Sequence, residues 1–97
     1  MKTAVFSPRA QDDLEEIWTR SASDWGVRQT AHYLATIRDT VAQLVETPQI
    51  ARNCEDIKPG HRKYGVGSHI IFFKITSDGI DIVRILHQRM DAGRHLP

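Results

Sequence analysis

Ala10, Leu14, Ile17, Trp18, Ser21 and Trp25 recur at helical spacing and predict one buried stripe on an amphipathic helix. Ser7-Pro8 marks its start: a serine hydroxyl caps free amides, and proline at the first helical position forfeits no hydrogen bond. The acids that follow, Asp12, Asp13, Glu15 and Glu16, suit the positive end of the helix dipole and read as a solvated face. Gly26 is a natural stop. A second helix is expected from about Arg28 to Thr47, with Leu34, Ile37, Val41, Leu44 and Val45 on its apolar face. Arg28, His32, Asp39 and Gln43 fall on its wetter side, and Pro48 ends it. The connection at Gly26 is short enough to force an antiparallel helix hairpin.

The second half changes period. Residues 48–61 carry Pro48, Asn53, Pro59 and Gly60 with no periodicity and read as a loop. Arg62–Val66 is a short strand bounded by Gly67, and His69–Ile75 is a second, apolar on both faces and therefore central. Ser77-Asp78-Gly79 is a hairpin turn with glycine free to take positive φ, and Ile80–His87 is the next strand. Thr3–Phe6 adds a strand at the start, and Gln88–Pro97 is a polar, basic tail. The expected order is β-α-α-β-β-β. That is an α+β class, a helix hairpin packed on a small, mostly antiparallel sheet, in one domain spanning residues 1–97.

Charge adds a polarity along the chain. The net is +1 overall, but residues 1–50 carry five Lys/Arg against seven Asp/Glu and residues 51–97 carry eight against five. A polyanion, if bound, meets the C-terminal half. The lone Cys54 excludes an intrachain disulfide and suits a reducing compartment. The N-terminus lacks the pattern of a signal peptide, and no run approaches the ~20 apolar residues of a membrane span. The expected location is the cytoplasm, with no membrane association.

Most catalytic chemistries find no support. His61, His69, His87, His95 and Cys54 lack a paired ligand spacing, so no metal is expected, although His69 and His87 can approach each other across the hairpin. Cys54 lies beside Glu55, which disfavours a thiolate, and there is no phosphate-binding glycine loop, so no cofactor is expected. What remains is a set of bases and histidines on the sheet: Arg62, Lys63, His69, Lys74, Arg84, His87 and Arg89. Strand alternation places His69 on one face with Ile71 and Phe73. A gripping surface for RNA or protein and a merely solubilising set of edge charges both fit this pattern.

Several segments together resemble the ParE branch of the RelE/ParE superfamily of toxins. They are FSPRAQDDLEEIW, the DWG corner, KPGHRKYGVGSHIIFFKI with its Gly67–Phe72 core, and IDIVRILHQRMDAGRHL with Arg84–Asp91. The resemblance implies a type II toxin neutralised by a ParD-like antitoxin in a hetero-oligomer. It implies contact with operator DNA only through that antitoxin, and DNA gyrase as the target. The sister branch, resembling RelE, consists of ribosome-dependent mRNA endoribonucleases. Its cationic and acid–base positions, carried over through Gly67, fall on Arg62, His69, Arg89 and His95. The central arginine is histidine here and the tail tyrosine is absent. No catalytic residue is therefore assigned, and the nuclease is the alternative.

Two surfaces follow as expectations. A groove where helix and sheet edges meet suits an amphipathic antitoxin helix, with Trp18, Trp25, Tyr33, Ile37 and Val41 as apolar contacts and Arg62 and Arg84 as anchors for acids. Toxicity is placed in the tail, at Arg89, Met90, Asp91, Arg94 and His95. A tail of this kind is expected to tolerate removal of residues 89–97 without loss of the fold.

Overall fold

A computed structural model of the chain describes residues 2–97. Its elements are β1 (Thr3–Phe6), α1 (Pro8–Trp25), α2 (Val27–Glu46), a 3₁₀ turn (Pro48–Ile50), β2 (Arg52–Asn53), β3 (Arg62–Val66), β4 (His69–Thr76), β5 (Gly79–His87) and α3 (Ala92–His95). The strands form one mixed sheet in the order β1-β5-β4-β3-β2, parallel between β1 and β5 and antiparallel elsewhere. The α+β class, the hairpin of helices and the central place of β4 agree with the pattern of the sequence. The two-residue β2, the 3₁₀ turn and α3 were not visible in it.

Ser7 organises the N-terminal half. Its hydroxyl accepts the Ala10 N–H at 3.0 Å, capping α1, and donates to the Val83 carbonyl at 2.7 Å. Its own N–H bonds the Ile82 carbonyl at 2.9 Å. One residue thus ends β1, starts α1 and ties both to β5. At the other end of α1, Gly26 takes φ 86°, and its N–H closes the helix on the Ala22 carbonyl. Its carbonyl then receives both the N–H and the hydroxyl of Thr30, which opens α2.

The two helices cover one face of the sheet. Ala10 and Ile17 from α1 and Ile37, Val41, Leu44 and Val45 from α2 pack on Ile71, Phe73, Ile80, Ile82 and Ile85. Fully burying such a side chain is worth about 1.5–3 kcal/mol, so this layer carries most of the stability. The opposite face has its own small core of Cys54, Phe72 and Leu86, covered by Ile57 from the loop and by Ala92 and Leu96 from the C-terminus. Among the described residues no helix is long and apolar enough to cross a membrane.

The expected α1 stripe was too wide. Ala10, Ile17 and Ser21 are buried, but Trp18 is 39% and Trp25 48% exposed. The acids were not all solvated either: Asp13 is buried on the same stripe, at 9% exposure.

Candidate functional site

The register of β5 explains the main feature of the surface. β1 pairs with β5 only as far as Ile82. There the β4–β5 register slips: Phe73 faces Ile82 but Phe72 faces Arg84, leaving Val83 as a bulge. A bulge rotates the residues beyond it by one position. From Val83 onward, β5 therefore presents an open edge to α1 rather than to a strand.

Asp13 reaches this edge. Its Oδ2 accepts the Ile85 N–H at 2.9 Å and the Arg84 Nε–H at 2.8 Å, and its Oδ1 accepts from Arg84 at 2.8 Å. Arg84, 8% exposed, donates its remaining arm to the His95 carbonyl at 2.9 Å. The hydrogen bonds to Asp13 hold the guanidinium above its usual pKa, against the opposing effect of burial. This one ion pair fastens α1, β5 and the C-terminal turn together. The expectation of Arg84 as an anchor for acidic residues of the antitoxin is corrected accordingly, because its donors are committed inside the protein.

Between α1 and the open end of β5 lies a cleft of about 220 Å³. Ile17, Trp25, Ile85 and Met90 supply apolar wall, with Glu16, Arg20 and Asp24 along the rim. His69 and His87 close one end, paired across β4 and β5 with ring centroids 5.4 Å apart and nearly perpendicular. The approach expected of these two histidines is thus observed. Among the described residues no group of three or more metal-ligating side chains gathers around them or elsewhere.

Tyr33 holds His69 in place. Its hydroxyl lies 2.7 Å from His69 Nδ1, 3.2 Å from the Val66 carbonyl and 3.3 Å from the Ser68 N–H. With Nδ1 protonated and donating to Tyr33, the hydroxyl donates to Val66 and accepts twice, so every group is satisfied. Trp25 then stacks edge-on against Tyr33 at 5.9 Å. Burial lowers the His69 pKa, proximity to His87 lowers it further, and Asp13 opposes. His87 Nδ1 accepts the Arg89 N–H at 3.1 Å, which turns the chain into the tail.

The remaining expected residues are scattered. Ile37 and Val41 are 1% and 5% exposed and belong to the core, so their expected role as antitoxin contacts is corrected. Arg62 donates to the Ala51 carbonyl at 2.9 Å. It pairs with Phe73, whereas His69 pairs with Val66, at the opposite end of the β3–β4 ladder. Four residues along a strand separate Arg62 from His69 by about 13 Å. The backbones of Arg62 and His69 thus stand at opposite ends of the ladder. In the tail, Asp91 caps α3 by accepting the Gly93 N–H and lies 3.7 Å from Arg94, while Arg89 is exposed and Met90 is 40% exposed. His95 is half-buried, and Leu96 packs on the second core. Removing residues 89–97 uncovers Phe72 and Leu86 and takes the His95 carbonyl from Arg84, so the tail is part of the fold. The sequence reading missed Asp13, Glu16, Arg20 and Asp24. Asp13 left a trace, as an acid in step with Ala10, Ile17 and Ser21 in the middle of the stripe.

The helix hairpin on a mixed sheet, closed by a packed C-terminal turn, defines a small two-layer α+β domain. The model of the family described as ParE toxin of type II toxin-antitoxin system, parDE, matches residues 4–92. Toxin ParE1 of Mycobacterium tuberculosis is 45% identical over 93 residues, 95% of each chain. Toxin ParE1 of Caulobacter vibrioides is 38% identical over 96 residues, 99% of each. A solved chain from the chromosomal ParDE system of P. aeruginosa shares the fold with a TM-score of 0.78 at 19% identity, covering 90% of this chain and 96% of that one. The chain belongs to the ParE toxin family.

Proposed function

We propose that this chain is the toxin of a parDE pair, that a ParD-like antitoxin neutralises it, and that it acts in the cytoplasm by poisoning DNA gyrase rather than by catalysing a reaction itself. Membership of the family supports the pairing. What favours poisoning over RNA cleavage is the set of groups at the nuclease-like positions: the central arginine is replaced by His69, whose Nδ1 is engaged by the Tyr33 hydroxyl, and the tail tyrosine is absent. Cleavage at a 2′-hydroxyl needs its base, its acid and its cations around a single phosphate. With purified gyrase and supercoiled plasmid, the chain should accumulate cleaved plasmid, and added antitoxin should suppress it. Codon-positioned cuts in ribosome-bound mRNA that disappear in His69→Ala would replace this function with that of the nuclease.

The surfaces divide by accessibility. Trp18, Trp25 and Tyr33 on the helices, with Arg62 beyond them, remain the proposed antitoxin contacts. Arg89, Met90, Asp91, Arg94 and His95 remain the proposed target contacts. Since the tail is packed, its role is tested by charge reversal rather than truncation. Arg89→Glu with Arg94→Glu should abolish growth inhibition while antitoxin pull-down persists.

A further inference from the structure

The end of β5 is an unfinished strand edge. Alternate residues of β5 bond to β4, as the Gln88 N–H to the Ser68 carbonyl shows, so Ile85 and His87 face the other way, toward α1. Asp13 occupies the Ile85 N–H. Among the described residues, neither the Ile85 carbonyl nor the His87 N–H has a partner. An antiparallel strand needs both the N–H and the carbonyl of Ile85, and Asp13 has taken the first. A parallel strand needs only the Ile85 carbonyl and the His87 N–H, which a single residue of that strand satisfies. β1 uses the same pattern further down, where the Thr3 N–H bonds the Asp78 carbonyl in register with Gly79.

Beside these two groups lies the cleft between Ile17, Trp25 and Met90. The helix that forms its outer wall is acidic: α1 carries Asp12, Asp13, Glu15, Glu16 and Asp24 against Arg9 and Arg20. Once Asp13 is neutralised by Arg84, Glu16 and Asp24 are acids on the rim with no salt-bridge partner among the described residues.

We propose that this edge receives a short extended segment of the antitoxin, running parallel to β5 as a continuation of β1. The inference rests on the antitoxin pairing proposed above. One residue of the segment bonds the Ile85 carbonyl and the His87 N–H. An apolar side chain from it enters the cleft against Trp25 and Met90, and a lysine or arginine crosses the rim to Glu16 and Asp24. Backbone bonds give such additions their hold, and the side chains on either side give them selectivity.

The test uses the full-length chain, labelled with ¹⁵N, and the full-length antitoxin from the neighbouring gene. In the free chain the His87 amide should exchange with solvent rapidly. In the complex its exchange should slow by about 100-fold or more, as for an amide in a closed ladder. A complex that elutes intact on gel filtration while the His87 amide exchanges as before overturns the edge and leaves the pairing standing. The absence of any complex overturns the pairing and the edge with it. Reversing the rim, Glu16→Lys with Asp24→Lys, should weaken binding roughly 10–100-fold, because like charges then face each other. Both positions are exposed, so the melting curve should stay unchanged. Undiminished binding by the reversed chain refutes a basic segment at this rim.

Discussion

Replacing Asp13 should nearly unfold the protein, although the residue lies in a run of ordinary acids. Asp13→Ala removes the acceptor of two Arg84 bonds and of the Ile85 N–H. Arg84, 8% exposed, then keeps only the His95 carbonyl. Breaking a buried pair from one side costs about 3–5 kcal/mol, and an orphaned buried amide adds about 1 or more. A domain of this size has about 5–15 kcal/mol in total. Asp13→Asn, which keeps an acceptor for Ile85 but loses the charge, should cost less and remain measurable. Urea unfolding followed by far-UV circular dichroism provides the readout. With a slope of about 1–3 kcal/mol per molar urea, a 3 kcal/mol loss lowers the midpoint by roughly 1–3 M. The double replacement Asp13→Leu with Arg84→Met should recover much of the loss, since a packed apolar pair does not leave a stranded charge. A cost below about 1 kcal/mol for Asp13→Asn, or a double variant less stable than either single one, refutes the reasoning.

Stability should fall on acidification, because the folded state holds His69 below its usual pKa and so favours the neutral ring. The contribution is complete above the ordinary histidine value of about 6.5 and is lost as pH falls through the folded-state value. The urea midpoint at pH 5 should therefore lie below that at pH 7.5, with a smaller difference in His69→Gln; equal differences in both proteins rule out this origin. Gly79→Ala should detach β1, since a Cβ there would sit 1.8 Å from the Thr3 carbonyl oxygen and φ is +144°. A loss of about 3 kcal/mol or more is expected from the combined clash and strain, and a melting curve like that of the unmodified chain counts against it. Cys54 is fully buried and its thiol is pushed up chiefly by that burial. A disulfide reagent should label it at least about 100-fold more slowly in native than in urea-unfolded protein, and rapid native labelling shows the second core to be open.

Local signals made the scaffold legible. Ser7-Pro8, Gly26, Gly67 and Gly79 each announce their turn through a side-chain oxygen, a fixed φ or a missing Cβ, and each acts as its chemistry requires. The two-residue β2 lacks such a signal, since only its pairing with Arg62 and Lys63 makes it a strand. The site was harder to read for the same reason. Only its step with Ala10, Ile17 and Ser21 separates Asp13 from Asp12, and its partner stands 71 residues away. The available clue was Arg84, a charge within the apolar run Ile-Val-Arg-Ile-Leu, which burial obliges to find a carboxylate. Trp18 and Trp25 misled because a stripe that mixes small and large residues leaves its width undefined. The open edge depends on where β1 stops and where β5 bulges, which are properties of pairing rather than of composition.

The bonds from Ser7 and Asp13 to Val83, Arg84 and Ile85 also set an order of events during synthesis. The helix hairpin is local and can form as soon as it is made. Its N-terminal strand, the second bond of Ser7 and the buried Asp13 must wait for partners 71 to 76 residues downstream. Contacts of such separation form late, because the intervening loop must close before they repay its entropy. A ribosome that halts before Gly79 leaves a chain carrying both helices but an uncompensated Asp13 and no strand for β1 to join. Interrupted translation therefore yields fragments without the finished surface, which exists only once the final strand has been made.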